Sequence, residues 1–335
     1  MLEEDRRRLG LAVGRGFVKA ALALAAFVLA PVAQAQTGSP EVVTAPGPTG
    51  PLAGTLIDPD GKGPLIVIIP GSGPTDRNGD NRYGVVGGPY AQLAEALAKR
   101  GVATLRVDKR GMFDSRAAVA DGNAVTIGDY ASDTRAWIDA VRKRTGRACV
   151  WLLGHSEGGL VVLQAAQDSQ GVCGVVLLSA AGRPLAAIMR EQFRANPANA
   201  PLLDSLIGMV DAFEAGRHVD PATLPPPLPA LFPESVQPFL IDTFRYDPPR
   251  LAAKLRVPML VAQGDNDIQI GAGDARALAG AAPGARLAMI PGMTHVLRIA
   301  AGPGPAASIA TYGDASLPVA PALVDAIAGF VGEKR

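Results

Sequence analysis

The sequence predicts an α/β protein with a mostly parallel central sheet and helices on both of its faces. Three observations carry that expectation. Short, continuous apolar runs such as Leu65–Ile69 (LIVII) stand between proline or glycine punctuation. Runs that are apolar without alternation are strands buried on both faces, as in parallel sheets. These runs alternate along most of the chain with stretches whose apolar residues recur at helical spacing, the pattern of layered α/β architecture.

The elements follow in order. Residues 52–57 form a short strand ended by the turn Asp58-Pro59-Asp60-Gly61. After the LIVII strand, Tyr90, Leu93, Ala94, Leu97 and Ala98 recur at helical spacing until Gly101 stops the helix. Residues 102–107 are a strand and 129–144 a helix, with Trp137, Ile138 and Val141 on one face. Strand 149–153, helix 158–167 and strand 175–178 come next. Strand 258–262, helix 274–281 and strand 285–290 repeat the unit, and helix 319–331 closes it. The interval 182–250 breaks the rhythm with Leu202, Leu203, Leu206, Val210 and Phe213 at helical spacing, followed by a Pro-rich run. It reads as a helical cap insertion, about 182–250, in one large α/β domain spanning 52–335.

Composition narrows the function. The chain has 335 residues, 48% of them hydrophobic, and a formal net charge of +1, so it lacks the basic footprint of a nucleic-acid binder. Gly 39 and Pro 29 without a period mean many turns rather than collagen. Two cysteines cannot build a four-thiolate metal site, and no metal or organic cofactor is expected. Residues 1–35 read as an export signal. Arg6, Arg7, Arg8, Arg15 and Lys19 precede the apolar run 20–30, and Ala33-Gln34-Ala35 offers a cleavage site. The apolar run falls short of the roughly 20 residues of a membrane span. Removal of 1–35 leaves 27 basic against 28 acidic residues, net −1, in an exported, periplasmic or secreted protein. Residues 36–51, rich in Pro, Gly, Thr and Ser, read as a flexible lead-in.

The chemistry centres on Gly154-His155-Ser156-Glu157-Gly158-Gly159, between a strand and a helix. In that context G-x-S-x-G is a nucleophile elbow: the sharp turn presents the serine hydroxyl at a helix N-terminus. A serine needs a base, and three histidines are present. His155 neighbours the serine inside the turn, and His218 lies in the cap beside Gly216 and Asp220. His295 follows a strand through Pro291-Gly292-Met293-Thr294, on the loop at the strand's C-terminal end, where open α/β sheets place ligand chemistry. His295 is therefore the expected base. The acid comes from Gln263-Gly264-Asp265-Asn266-Asp267; Asp267 is favoured over Asp265 because its spacing from Gly264 lets a tight turn aim it at His295. Oxyanion donors are expected from the backbone of Glu157 and of Ser72, with Gly73 as the alternative, in the loop Pro70-Gly71-Ser72-Gly73-Pro74.

At this point the chain resembles the α/β-hydrolase superfamily, and within it the bacterial serine aminopeptidase and esterase branch. The resemblance rests on PGSGPTDRNGD at 70–80, RVDKRG at 106–111, GHSEGG at 154–159, QGDNDIQI at 263–270, GMTHVL at 292–297 and ATYGDASLP at 310–318. It implies Ser156 as nucleophile, His295 as base and Asp267 as acid, in agreement with the residue-level reading. Met112-Phe113-Asp114 departs from the group, which has small residues there.

Other residues carry two readings. Asp76 and Arg77 are candidates for a substrate rim, against the plainer reading that they, with Asp80, tie a long loop together. Asp108, Lys109 and Arg110 are candidates for ion pairs, and the Glu157 side chain for orienting a substrate amine or alcohol. Cys149 and Cys173 begin consecutive strands; if those strands are neighbours a disulfide can form, and otherwise they are buried thiols. The expected function is hydrolysis of a small carboxylic ester or related acyl substrate through a Ser-His-Asp triad and an acyl-enzyme. The alternatives are an exopeptidase on the same fold and a non-catalytic binding protein.

Overall fold

A computed structural model describes residues 38–333. The export-signal reading of 1–35 falls outside the described residues. Eight strands form one sheet in the order β1-β2-β4-β3-β5-β6-β7-β8. They are β1 (Glu41–Pro46), β2 (Pro51–Ile57), β3 (Leu65–Ile69), β4 (Ala103–Val107), β5 (Val150–His155), β6 (Val172–Leu178), β7 (Met259–Gly264) and β8 (Arg286–Ile290). The β1/β2 and β2/β4 pairs are antiparallel, and every pair from β4 to β8 is parallel.

Alternate residues of the buried strands feed opposite faces. Val67 and Ile69 of β3 join a core with Leu105, Trp137, Ile138 and Leu152. Ile66 and Ile68 join a second core with Leu93, Leu97, Leu323 and Ile327. Helices α2 (Ile127–Thr145) and α3 (Glu157–Ala165) cover the first face; α1 (Pro89–Ala98) covers the second. α2 starts at a capping box, in which the Thr126 hydroxyl accepts from the Asp129 N–H and the Asp129 carboxylate accepts from the Thr126 N–H.

Between β6 and β7 the cap folds as α4 (Leu185–Ala195), α5 (Leu203–Glu214), α6 (Leu228–Leu231), α7 (Gln237–Phe244) and α8 (Pro248–Ala252). It has a small core of its own built on Leu206, Met209, Val210, Phe213, Leu228 and Phe244. The Ile127 N–H donates to Asp242 Oδ2 at 2.9 Å and ties α7 to the start of α2. After the cap come α9 (Ala272–Ala281), α10 (Pro305–Ala310) and α11 (Pro321–Gly332); α11 joins α1 on the second face.

The lead-in expectation for 36–51 needs correction. Residues 41–46 are a strand paired residue by residue with β2, and Val43 and Ala45 are buried. The prolines that suggested a mobile segment stand at the hairpin end, where Pro46 faces Pro51. Proline is tolerated on such an edge because no ladder donor is lost from the sheet centre.

β5 and β6 are neighbours, and Cys149 and Cys173 are disulfide-bonded across them with Cα atoms 5.2 Å apart. The bridge spans a sequence separation of 24. A loop of that length restricts the unfolded chain enough to contribute about 3 kcal/mol. Replacing both cysteines by serine should lower the unfolding free energy in urea by that amount, and an unchanged denaturation midpoint would show that the bridge contributes nothing.

Candidate active site

Ser156 stands at the joint between β5 and α3 with φ 55° and ψ −121°, a backbone conformation L residues rarely adopt. Close packing enforces the turn. A Cβ on Gly154 would come within 2.1 Å of the Gly158 carbonyl oxygen, and one on Gly158 within 2.4 Å of the Ile69 carbonyl oxygen. The glycines therefore let the elbow press against the end of β3, where the proposed oxyanion loop begins. Gly71 completes the contact: its Cα side faces Ser156 Cβ and the His155 ring.

Asp267 and His295 meet from the ends of β7 and β8. His295 Nδ1 and Asp267 Oδ2 are 2.9 Å apart, with both side chains almost wholly buried. Gln263 Nε2 also donates to Oδ2, at 3.1 Å, while Oδ1 accepts from the N–H groups of Gln269 and Ile270 at 2.8 and 3.0 Å. Burial pushes the Asp267 carboxyl up. The His295 charge and the hydrogen bonds from His295, Ile270 and Gln269 outweigh it and hold the group below the usual aspartate range. Asp265, the competing candidate, is turned away and accepts from the Gly292 N–H at 2.6 Å, bracing the turn that leads to His295. His218 is exposed on the cap.

The elbow histidine has a role that its sequence position did not reveal. His155 Nε2 lies 2.9 Å from the His295 carbonyl oxygen, which can only accept, so Nε2 carries the proton. Nδ1 then accepts from the Tyr90 hydroxyl at 2.7 Å, and the Tyr90 oxygen accepts from the Gly71 N–H at 3.3 Å. These bonds link the loop at 70–74, the elbow and the backbone of His295. Period-2 alternation puts residue 155 on the same face of β5 as Trp151 and Leu153; a histidine on that apolar face, needing polar partners, is the signal that could have found it.

The backbone N–H groups of Ser72 and Gly73 make no hydrogen bond among the described residues. Ser72 borders two cavities, both of which also contain Ser156 and Gln269. The first, about 270 Å³, includes His295 with Thr75, Asn81, Tyr83 and Tyr312. The second, about 290 Å³, lies under the cap and is lined by Leu185, Ile188, Met189, Phe239 and Leu240.

Asp76 and Arg77 border neither cavity, so the substrate-rim expectation for them is corrected. Asp76 Oδ1 accepts from the N–H groups of Asn78 and Asp80 at 2.8 and 3.0 Å. Arg77 pairs with Asp108 at 2.5 Å and with Asp114 at 2.9 Å. Buried carboxylates need such partners, and both residues spend their polar atoms holding the loop. Arg110 likewise donates from Nε and Nη2 to the two Asp133 oxygens, each at 2.6 Å. Lys109 is different, because its Nζ reaches both the Gly71 carbonyl oxygen and the Glu157 carboxylate. Among the described residues no group of three or more His, Cys, Asp or Glu side chains is arranged to hold a metal. No helix among them is long and apolar enough to cross a membrane.

The sheet order, the elbow and the paired aspartate and histidine define an α/β-hydrolase fold. Comparison with known proteins agrees. Residues 81–207 match the family of serine aminopeptidases, S33. Esterase EstD of Thermotoga maritima is 25% identical over 227 residues, which are 65% of this chain and 50% of EstD, so the match spans half of that relative's length. Est1E of Butyrivibrio proteoclasticus, solved with ferulic acid, superposes with TM-score 0.53 at 24% identity over 76% of this chain and 91% of Est1E. A thermophilic esterase from Thermogutta terrifontis, solved with malate, gives TM-score 0.53 at 17% identity over 88% of this chain and all of that one (100%).

The neutral state of His155 has a consequence for stability. Burial, and then the charge on His295, push its pKa down from 6.5 to about 3, outweighing the hydrogen bond to His295. The unfolded chain binds a proton at His155 below its ordinary value while the folded chain does not. The folded protein is therefore fully favoured by this group above about pH 6.5 and loses that contribution as pH falls toward about 3. His155→Gln should flatten the fall of unfolding free energy between pH 6 and pH 4 by up to about 1.4 kcal/mol per pH unit. Equal slopes for the two proteins in urea titrations would contradict a neutral, buried His155.

Proposed function

We propose that this protein is a serine hydrolase of carboxylic esters, with Ser156 as nucleophile, His295 as general base and Asp267 as the residue that orients His295. The observation that carries the reading is the meeting of Ser156 and the His295–Asp267 pair at one cavity, beside unpaired N–H groups on the oxyanion loop. The similarity to Esterase EstD supports it.

In the first half-reaction His295 Nε2 takes the hydroxyl proton as Ser156 Oγ bonds to the ester carbonyl carbon. The N–H groups of Glu157 and of Ser72 or Gly73 receive the negative oxygen. Collapse breaks the bond to the leaving alcohol, whose oxygen takes the proton from His295. Water then repeats the sequence on the acyl-enzyme, releasing the acid and restoring Ser156. Asp267 stays ionised throughout, since its hydrogen bonds favour the carboxylate.

The direction of the substrate follows from proton delivery. The leaving oxygen must come within hydrogen-bond reach of His295. The cavity that contains His295 therefore takes the alcohol side, and the apolar cavity under the cap takes the acyl chain. The exopeptidase alternative needs a free carboxylate beside the acyl side to bind an α-ammonium group. Among the residues bordering the two cavities the one carboxylate is Glu157, and it is ion-paired with Lys109 at 3.2 Å. That pairing favours the ester.

The kinetic test uses p-nitrophenyl esters from acetate to octanoate. Ser156→Ala should lower kcat by about 10³-fold or more with the thermal midpoint preserved. Met189→Trp, which fills the cap cavity, should cost octanoate about tenfold in kcat/KM while sparing acetate, since lost apolar contact is worth roughly 1–3 kcal/mol. Retained turnover in the alanine variant would exclude Ser156 as nucleophile. Equal losses on the short and long esters would remove the acyl chain from under the cap.

A further inference from the structure

One buried cation touches both walls of the site without bordering either cavity that contains Ser156. Lys109 follows β4, and its Nζ donates to the Gly71 carbonyl oxygen at 2.8 Å and to Glu157 Oε1 at 3.2 Å. The two side chains are 4% and 13% exposed. On a third side Nζ lies 5.2 Å from the centroid of the buried Tyr130 ring. A buried ammonium must replace its water, and here a carbonyl, a carboxylate and a π face do so.

The Gly71 carbonyl belongs to the same peptide unit as the Ser72 N–H. The one cis bond among the described residues is Pro226–Pro227, so the Gly71–Ser72 bond is trans and its carbonyl and N–H point in opposite directions. Holding the carbonyl on the Lys109 side therefore aims the N–H away from Lys109, toward the side where Ser72 borders the space beside Ser156. The positive charge also draws electron density through the amide and strengthens its N–H as a donor. The second contact of Lys109 reaches Glu157, whose own N–H is the other expected donor. These two donors sit on separate parts of the chain, one after β3 and the other after β5.

We propose that Lys109 is a positioning residue for the oxyanion hole, a single ammonium that fixes the Ser72 N–H relative to the Glu157 N–H. The proposal rests on the ester-hydrolysis reading. Because the donors act on a charge that develops in the transition state, loss of Lys109 lowers kcat and leaves substrate binding nearly intact.

The test compares Lys109→Met/Glu157→Gln with Glu157→Gln alone. The double variant removes both charges and so leaves no unpaired carboxylate in the interior; the difference between the two isolates the bond to Gly71. Each is assayed for p-nitrophenyl butyrate hydrolysis, for thermal midpoint and for inhibition by an alkyl boronic acid, which forms a tetrahedral adduct on the serine. Relative to the single variant, the double variant should lose about 10- to 100-fold in kcat, less than the 10²–10³ of a deleted donor, with KM within about threefold. Boronate inhibition should weaken by the same factor as kcat. Equal kcat and equal boronate inhibition in the two variants would overturn the role of Lys109 and leave ester hydrolysis standing. Loss of kcat with unchanged boronate inhibition would also overturn it, since the oxyanion hole would be intact. An unmodified protein that neither hydrolyses the ester nor binds the boronate would overturn the ester reading, and this role with it.

Discussion

The turn at Ser156 is the constraint on which the site depends. A residue held at φ 55° without being glycine carries strain of about 1–3 kcal/mol, which the surrounding packing must over-determine. Here the packing does so by removing side chains. Gly154 and Gly158 lie so close that either Cβ would strike backbone, and Gly159 is pressed against the Ala180 side chain. That compression brings the end of β3 against the elbow, so the loop at 70–74 and the serine are set at a fixed distance before any substrate arrives. The same economy recurs at the end of β7, where a Cβ on Gly264 would fall 2.0 Å from the Met293 carbonyl oxygen. Backbone approach at these two places is what allows residues from four separate strand ends to share one small volume.

Around that volume the buried polar groups form linked pairs rather than isolated charges. Asp267 is satisfied by four donors, His155 stays neutral between Tyr90 and the His295 carbonyl, and Lys109 is enclosed by Gly71, Glu157 and Tyr130. Each arrangement avoids the cost of an unpaired polar group in the interior. The His155 and Lys109 arrangements also run between elements that are far apart in sequence, so there satisfying hydrogen bonds and aligning the site become the same requirement. Arg298, fully buried, ties the outer loops together through its two terminal nitrogens, which donate to the carbonyls of Val86 and Thr311 at 2.6 and 2.8 Å.

What could be read in the sequence depended on how local the cause is. The elbow is written in six consecutive residues with a strand before and a helix after, and its geometry follows from them. The parallel strands announce themselves because both faces are apolar. Spacing from Gly264 favours Asp267 over Asp265 in the sequence, but the partner of Asp265, the Gly292 N–H across the neighbouring loop, is not written there. Lys109 reaches Gly71 and Glu157 at sequence separations of 38 and 48, through a strand order that the chain order does not reveal. His155 looked idle beside the serine because its partners, Tyr90 and the His295 backbone, come from elsewhere in the chain. The strand at 41–46 was hidden by the prolines that bound its hairpin, where residue type signals a break and tertiary pairing overrides it.

The proposed hydrolysis requires Ser156 to be an activated nucleophile inside a formed oxyanion hole. The direct measurement is intact-protein and peptide mass spectrometry after exposure to a slight excess of an alkyl fluorophosphonate. One phosphonyl group per chain, carried by the peptide that contains Ser156, is the predicted result. An unmodified protein, or a label carried by any other residue, would contradict it.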